Sequence, residues 1–262
     1  MKKLYEKSEI WFALAWIGAY VVLMNAGMQF CGGFDDLASK TAGQVAVPAA
    51  LALALAIVST AWIKRSGLAE KYGLCAFRGD WRAFLYFIPL AVMSAVNLRN
   101  GLGLTAPLAV SLLMMANKAL AGYVEEVIFR GFFFRAMAKD NLRSAVIVSA
   151  VTFGAGHIVN LANTADTLGV LLQIGYAIVI GFLYTAIVYK GGSLWPCILS
   201  HMFVNGSSVF ALREGPFTSL VHALTGQTTD AAMQAASAAL LILVSGGYAL
   251  WIWKRTDAPA EA

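Results

Sequence analysis

The chain has 262 residues, of which 60% are hydrophobic and only 13% are charged, and its formal net charge is +5. Soluble domains carry about 25% charged residues, so this composition excludes a water-soluble globule and favours an integral membrane protein. The three cysteines lack CxxC spacing and indicate neither a disulfide framework nor a cysteine zinc site. No run of basic residues alternates with aromatic residues, so we expect no nucleic-acid partner.

Apolar segments follow one another along almost the whole chain, and a membrane-spanning helix needs about 20 such residues. We predict an all-α, polytopic membrane helix bundle with about eight transmembrane helices and with membrane lipid around it. The predicted ranges are 10–30, 44–63, 83–98, 107–134, 144–162, 167–188, 193–212 and 233–253. No soluble domain or internal repeat interrupts the series, so residues 1–262 are predicted to form a single integral membrane domain.

The basic residues between these segments are distributed unequally, and Lys and Arg accumulate on the cytoplasmic side of short loops. With the amino terminus inside, 14 basic residues fall on the cytoplasmic side and 3 on the opposite side. This bias predicts an even number of crossings with both termini cytoplasmic. Compact loops and the lack of a targeting extension favour a prokaryotic plasma membrane. The opposite side holds only Lys40, Arg99 and Arg213.

The fourth segment carries the charged motif Glu125-Glu126-Val-Ile-Phe-Arg130 at membrane depth, where unpaired charges are costly. Glu126 and Arg130 are four residues apart, so on a helix they share one face and can form an ion pair. Glu125 points about 100° away and is left free for proton transfer. The alternative is a purely structural ion pair, but two adjacent glutamates in an apolar segment favour a functional site.

Two other apolar segments contribute histidines. The fifth contains Phe153-Gly-Ala-Gly-His157, and the seventh contains His201-Met-Phe-Val-Asn205. Because His201 and Asn205 are four residues apart, they face the same way and can offer two donors to a developing oxyanion. Each histidine alone fits a packing role or a hydrogen bond between helices equally well. Together with the glutamates, they form the parts of a water-activating site.

Several nearby features receive no catalytic role. Lys118 lies in the fourth segment and is assigned none, and His222 is expected in a short interfacial helix of the last external loop. We expect Gly191 and Gly192, together with the bulky Trp195, to shape the mouth of the cavity.

At the charged and histidine motifs the chain resembles the CAAX prenyl protease and bacteriocin-processing family, which includes type II CAAX prenyl endopeptidases. The family pattern is EExxxR, then FxxxH, then HxxxN, in this order on separate transmembrane helices. Glu125, Phe153 and His201 begin the corresponding motifs here. The resemblance covers residues 107–212, which would form the catalytic core.

The resemblance implies a glutamate-dependent intramembrane endopeptidase without a metal or other cofactor. Its implied catalytic residues are Glu125, His157, His201 and Asn205. Glu125 would activate the hydrolytic water with help from His157, whereas His201 and Asn205 would stabilise the oxyanion. Glu126 and Arg130 would fix the geometry of the glutamate helix. The implied substrate is a membrane-associated peptide or protein, prenylated or unmodified, and we expect cleavage near the cytoplasmic leaflet.

Three alternatives remain open. Two histidines and a glutamate can bind zinc, although the usual HExxH arrangement is absent. The chain could instead be a non-catalytic membrane regulator or a bacteriocin-immunity-type binding protein, which would tolerate the loss of the Glu125 carboxylate. A proton-coupled transporter would also bury glutamates and histidines, but transporters usually show two related halves, and the first half of this chain has no second paired-glutamate segment.

Overall fold

The computed structural model describes residues 2–226 and 229–257, and within this part of the chain every regular element is a helix. The predicted all-α membrane helix bundle is confirmed. The carboxyl-terminal residues 258–262, which belong to the end predicted to be cytoplasmic, lie outside the described part. Helices α1 to α11 are Lys2–Lys7, Glu9–Phe30, Ala42–Arg65, Ile88–Ser94, Leu108–Glu126, Arg135–Ala138, Leu142–Gly156, Thr167–Gly191, Trp195–Ser207, Pro216–Thr225 and Asp230–Arg255.

Five of the described helical segments are long and apolar enough to cross a membrane: α2, α3, α7 with its 3₁₀ continuation to Ala162, α8 and α11. Large apolar side chains on these helices are exposed, among them Val22, Ile57 and Leu243, as expected for surfaces that face lipid. The other three predicted spans are shorter, broken or charged. The count of about eight crossings therefore stays a prediction.

The third predicted span is broken rather than continuous. A 3₁₀ turn, Leu85–Phe87, precedes α4, and a second 3₁₀ turn, Ala95–Leu98, follows it. All three residues of the first turn have positive φ angles, which end a right-handed helix, and Pro89 then starts α4. The prediction missed this break because it treated the mainly apolar segment 83–98 as one helix, although Pro89 within it favours the start of a new helix.

The bundle has two distinct ends. We call one the basic end, because it holds the chain segments 2–9, 64–84, 135–143, 189–195 and 253–257 with most Lys and Arg residues. Hydrogen bonds join these segments: Lys71 Nζ donates to Glu9 Oε1 over 2.7 Å, and Lys190 Nζ donates to the Thr256 carbonyl over 2.7 Å.

We call the other the loop end, and it gathers segments 31–41, 99–107, 157–167 and 208–226. The Phe34 amide donates to the Asn163 carbonyl over 2.7 Å, and Asn100 Nδ2 donates to the Arg213 carbonyl over 2.7 Å. These contacts join the four connections in two pairs at this end of the bundle.

Helix α5 occupies the middle of the bundle and packs against α3 and α9. Gly122 permits the close approach to α9, since a Cβ at this position would lie 3.2 Å from both the backbone and the ring of His201. Directly after Glu126 the helix widens into a π-helix, Val127–Phe134, all of whose residues are buried. Such π-segments within α-helices occur frequently at functional sites.

Candidate active site

The predicted ion pair of the fourth segment is present and completely buried. Arg130 Nη1 donates to Glu126 Oε1 over 3.0 Å, and both side chains have 0% exposure. The guanidinium also lies over the Phe153 ring, 3.9 Å from its centre. A buried charge is tolerated when it is paired and when an aromatic face covers it, so Glu126 is neutralised within the protein.

His201 lies between the two glutamates. Its Nδ1 is 2.8 Å from Glu126 Oε1, and its Nε2 is 3.4 Å from Glu125 Oε2. A ring nitrogen contributes to such a contact by donating, because an ionised carboxylate only accepts. The 2.8 Å contact is a hydrogen bond, so Nδ1 donates to Glu126 Oε1, the oxygen that also accepts from Arg130. The other side of the ring lies in contact with Glu125.

Glu125 has a different environment from its neighbour. The Tyr20 hydroxyl of α2 donates a hydrogen bond to Glu125 Oε1, and no arginine or lysine pairs with this carboxylate among the described residues. The Glu125 side chain keeps 13% exposure and lines a large cavity. A carboxylate that is oriented but not neutralised, and that faces open volume, is suited to accept a proton.

His157 and Asn205 line the same cavity as Glu125. His157 Nδ1 lies 3.1 Å from the Phe153 carbonyl, which can only accept a hydrogen bond. This contact places the hydrogen on Nδ1 and leaves Nε2 of the neutral ring available as an acceptor. The structure therefore brings Glu125, His157 and Asn205 to one cavity, whereas both ring nitrogens of His201 face the glutamates.

The cavity has a volume of about 1560 Å³ and extends from Glu125 to the loop end. Its inner part is lined by α2, α5, α7 and α8, and its outer part is lined by polar residues of the loops and by α10. Lys118 also faces it, and its ammonium donates to Ser208 Oγ over 3.1 Å. Charged side chains at the outer part are Arg99, Asp166, Arg213, Glu214 and Asp230.

The prediction that Gly191, Gly192 and Trp195 shape the mouth of the cavity was wrong. The Gly191 carbonyl accepts from the Arg78 amide over 2.9 Å at the basic end, and neither glycine nor Trp195 lines the cavity. The expectation failed because the sequence marks a permissive turn but not the segment that packs on it. His222 does lie on a short helix, α10, and reaches the cavity at its outer part.

Two residues of the site were not identified from the sequence as parts of it. Tyr20 is separated from Glu125 by 105 positions and stands in a uniformly apolar segment, so no spacing signal points to it. Phe153 was noted only as the start of a motif. Its ring covers Arg130 and makes edge contacts with the rings of His157 and His201, with centroid distances of 5.2 and 5.8 Å. One aromatic side chain thus connects all three motifs.

Comparison with protein families matches the part of the chain that carries the three motifs. Residues 106–207 match the family described as type II CAAX prenyl endopeptidase Rce1-like. This part of the chain is similar to that family. The predicted resemblance is confirmed, and the Rce1-like family supports, in general terms, a CAAX-type intramembrane protease. Comparisons with curated proteins and with solved structures gave no significant match.

The Rce1-like region contains every site residue that was predicted from the sequence, whereas helices α1 to α4, α10 and α11 lie outside it. Tyr20, which orients Glu125, therefore comes from a part of the chain that the family match does not cover. Across residues 2–226 and 229–257, no three or more His, Cys, Asp or Glu side chains are grouped in a way that could hold a metal ion.

Proposed function

We propose that the chain is an intramembrane endopeptidase that hydrolyses a peptide bond of a membrane-associated protein or peptide with water activated by Glu125. The observation that carries this proposal is the contrast between two adjacent carboxylates. Glu126 is completely buried and paired with Arg130, whereas Glu125 accepts a hydrogen bond from Tyr20 and faces the cavity. A purely structural pair of glutamates would not leave one carboxylate at the wall of a large cavity.

In the proposed reaction, a water in the cavity gives a proton to Glu125 while its oxygen attacks the scissile carbonyl carbon. The Nε2 of His157 accepts a hydrogen bond from this water through its second hydrogen, which stays on the oxygen, and so orients the oxygen for attack. The tetrahedral intermediate then collapses as the carbon–nitrogen bond breaks. The proton passes from Glu125 to the leaving amine, which restores the carboxylate and completes the hydrolysis.

The oxyanion of the intermediate requires a donor that faces the cavity. Asn205 fulfils this condition, since its side chain lines the cavity and an amide NH₂ can donate. The resemblance assigned this role to His201 as well. Because both ring nitrogens of His201 contact carboxylates, we propose that His201 instead positions Glu125 and Glu126, and that Asn205 is the main oxyanion donor.

The test compares purified, reconstituted wild-type protein with Glu125→Gln, using farnesylated CAAX peptides beside a panel of unmodified membrane peptides. Loss of a general base costs about 10²–10⁴-fold in rate, so cleavage by the variant should fall to the background. Glu214→Gln is the matched control, because Glu214 is an exposed carboxylate at the outer part of the same cavity.

The substrate panel determines whether a prenyl group is recognised, and a parallel reaction with a metal chelator tests the zinc alternative. Cleavage that survives the chelator and is lost in Glu125→Gln supports the proposal. Sensitivity to the chelator would instead make the histidines metal ligands. If Glu125→Gln cleaves as fast as the wild type, or if it remains functional in cells while no peptide is cut, the glutamate mechanism is refuted and a binding role is favoured.

A further inference from the structure

The cavity and the basic residues lie at opposite ends of the bundle. Apart from Lys118, the basic residues that line the cavity are Arg99 and Arg213, which belong to the loop end. The fourteen basic residues of the other end are Lys2, Lys3, Lys7, Lys64, Arg65, Lys71, Arg78, Arg82, Arg135, Lys139, Arg143, Lys190, Lys254 and Arg255, and none of them lines the cavity. Because basic loops stay on the cytoplasmic side, the cavity lies toward the other side.

The path from Glu125 to the basic end is filled by packed side chains. Phe132 and Phe134 of the π-helix are almost completely buried, and so is Tyr72 in the loop that covers this end. One backbone and one side-chain hydrogen bond close the loop over the helices: the Leu194 amide donates to the Gly73 carbonyl over 2.7 Å, and Ser193 Oγ donates to the Cys75 carbonyl over 2.7 Å. A peptide cannot reach Glu125 through this region without unpacking it.

At the loop end, helix α10 has one polar face, which lines the cavity, and one exposed apolar face. Thr218, Ser219 and His222 line the cavity, whereas Leu220 and Leu224 are 54% and 76% exposed. A short helix with one apolar and one polar face is typical of a segment that lies in the membrane interface. The outer part of the cavity is therefore positioned beside the headgroup region, where both water and a membrane-bound peptide are present.

We propose that the active-site cavity opens to the non-cytoplasmic face of the membrane, and that it takes an extended peptide segment lying at that interface. This inference rests on the proposed function and specifies the source of its substrate. It replaces the expectation of cleavage near the cytoplasmic leaflet. The mixed charges at the outer part, Arg213 and Arg99 beside Asp166, Glu214 and Asp230, fit the polar backbone and side chains of such a segment.

The test uses single cysteines and a membrane-impermeant thiol reagent on intact cells that express the full chain. Cys31 and Cys197 are buried, so only Cys75, which is partly exposed at the basic end, is first replaced by serine. In this background we introduce Ser219→Cys at the outer part of the cavity, Gln173→Cys at its wall, and Lys139→Cys at the basic end as the matched control. The Lys139 side chain is 52% exposed.

We expect Ser219→Cys and Gln173→Cys to react in intact cells, and Lys139→Cys to react only after the cells are permeabilised. The proposal is overturned if either cavity cysteine reacts only after permeabilisation, or if Lys139→Cys reacts first. It is also overturned if Gln173→Cys reacts under neither condition, because its position would then not be open to water. The labelling requires no cleavage, so it can fail while the Glu125→Gln test succeeds, and the reverse.

Discussion

Glu125 and Glu126 are joined by one peptide bond, yet the two faces of α5 on which they lie differ in almost every physical respect. The face of Glu126 is closed: Arg130 and His201 contact the carboxylate, and the Phe153 ring covers Arg130. The face of Glu125 borders open volume and is held by the Tyr20 hydroxyl. The difference shows how a helix can separate a structural charge from a reactive one by about 100° of rotation.

The largest expected effect comes from removing the buried ion pair on the face of Glu126. Arg130→Met leaves the Glu126 carboxylate buried without its cation, and removal of one partner of a buried pair costs about 3–5 kcal/mol. We expect a large fall in the melting temperature of the detergent-solubilised protein. The double variant Arg130→Met/Glu126→Gln should regain part of the loss, because the uncompensated charge is gone. A single variant as stable as the wild type would contradict this view of the closed face.

A smaller effect is expected from removing the hydrogen bond that orients Glu125. Tyr20→Phe removes the donor to Glu125, and hydrogen bonds to charged groups contribute about 1.5–3 kcal/mol. We expect kcat to fall by roughly 10- to 100-fold with little change in KM, since the carboxylate loses its orientation but the cavity stays intact.

Tyr123→Phe is the matched control for this substitution. It removes a hydroxyl from the same bundle that contacts Thr60 Oγ1 over 2.6 Å rather than the site. Equal losses of kcat in the two variants would mean that Tyr20 acts only through packing.

The contact between α5 and α9 determines whether His201 can reach both faces at once. In Gly122→Ala, the added methyl group lies 3.2 Å from His201, so α9 must shift, and overpacking of this kind costs about 1–3 kcal/mol. We expect lower thermal stability and lower activity together. Gly175→Ala in α8 meets nothing within 4 Å and should behave like the wild type. Normal activity in Gly122→Ala would show that the distance between these helices is adjustable.

The smallest effect concerns the loop end, far from both glutamates. Hydrogen bonds from the Thr164 hydroxyl and the Ala165 amide lower the pKa of Asp35 below its usual value of 3.8. A lowered pKa contributes stability above the usual value, and this stability is lost as the pH falls through the lowered one. We expect hydrogen exchange at the Ala165 amide to become faster in acid than its intrinsic rate predicts.

Asp35→Asn should abolish this acid sensitivity, whereas Asp36→Asn should retain it, because Asp36 makes no capping hydrogen bond through its side chain. If hydrogen exchange at the Ala165 amide depends on pH in Asp35→Asn as it does in the wild type, the Asp35 carboxylate does not stabilise this loop.

The sequence predicted the parts of the site that depend on local geometry. The pairing of Glu126 with Arg130 follows from four-residue spacing on a helix, and the membrane bundle follows from composition. The contribution of Tyr20 could not be predicted, since it depends on how α2 packs against α5. The bridging position of His201 depends likewise on the approach permitted by Gly122. The break before α4 was missed because apolar residues satisfy a lipid-facing helix and a packed turn equally well.

The π-helix Val127–Phe134 has a consequence for how the chain can tolerate insertions and deletions. A π-turn accommodates an additional residue relative to an α-turn, so the positions after Glu126 are out of angular phase with those before it. Removal of one residue from this stretch would let an ordinary α-helix form without any loss of apolar character. The side chains beyond the deletion would keep nearly the same direction relative to α5, because the removed residue is the one that the wider turn accommodates. Helical periodicity would look more regular, but a deletion between Glu126 and Arg130 would bring the two residues of the buried ion pair from four positions apart to three.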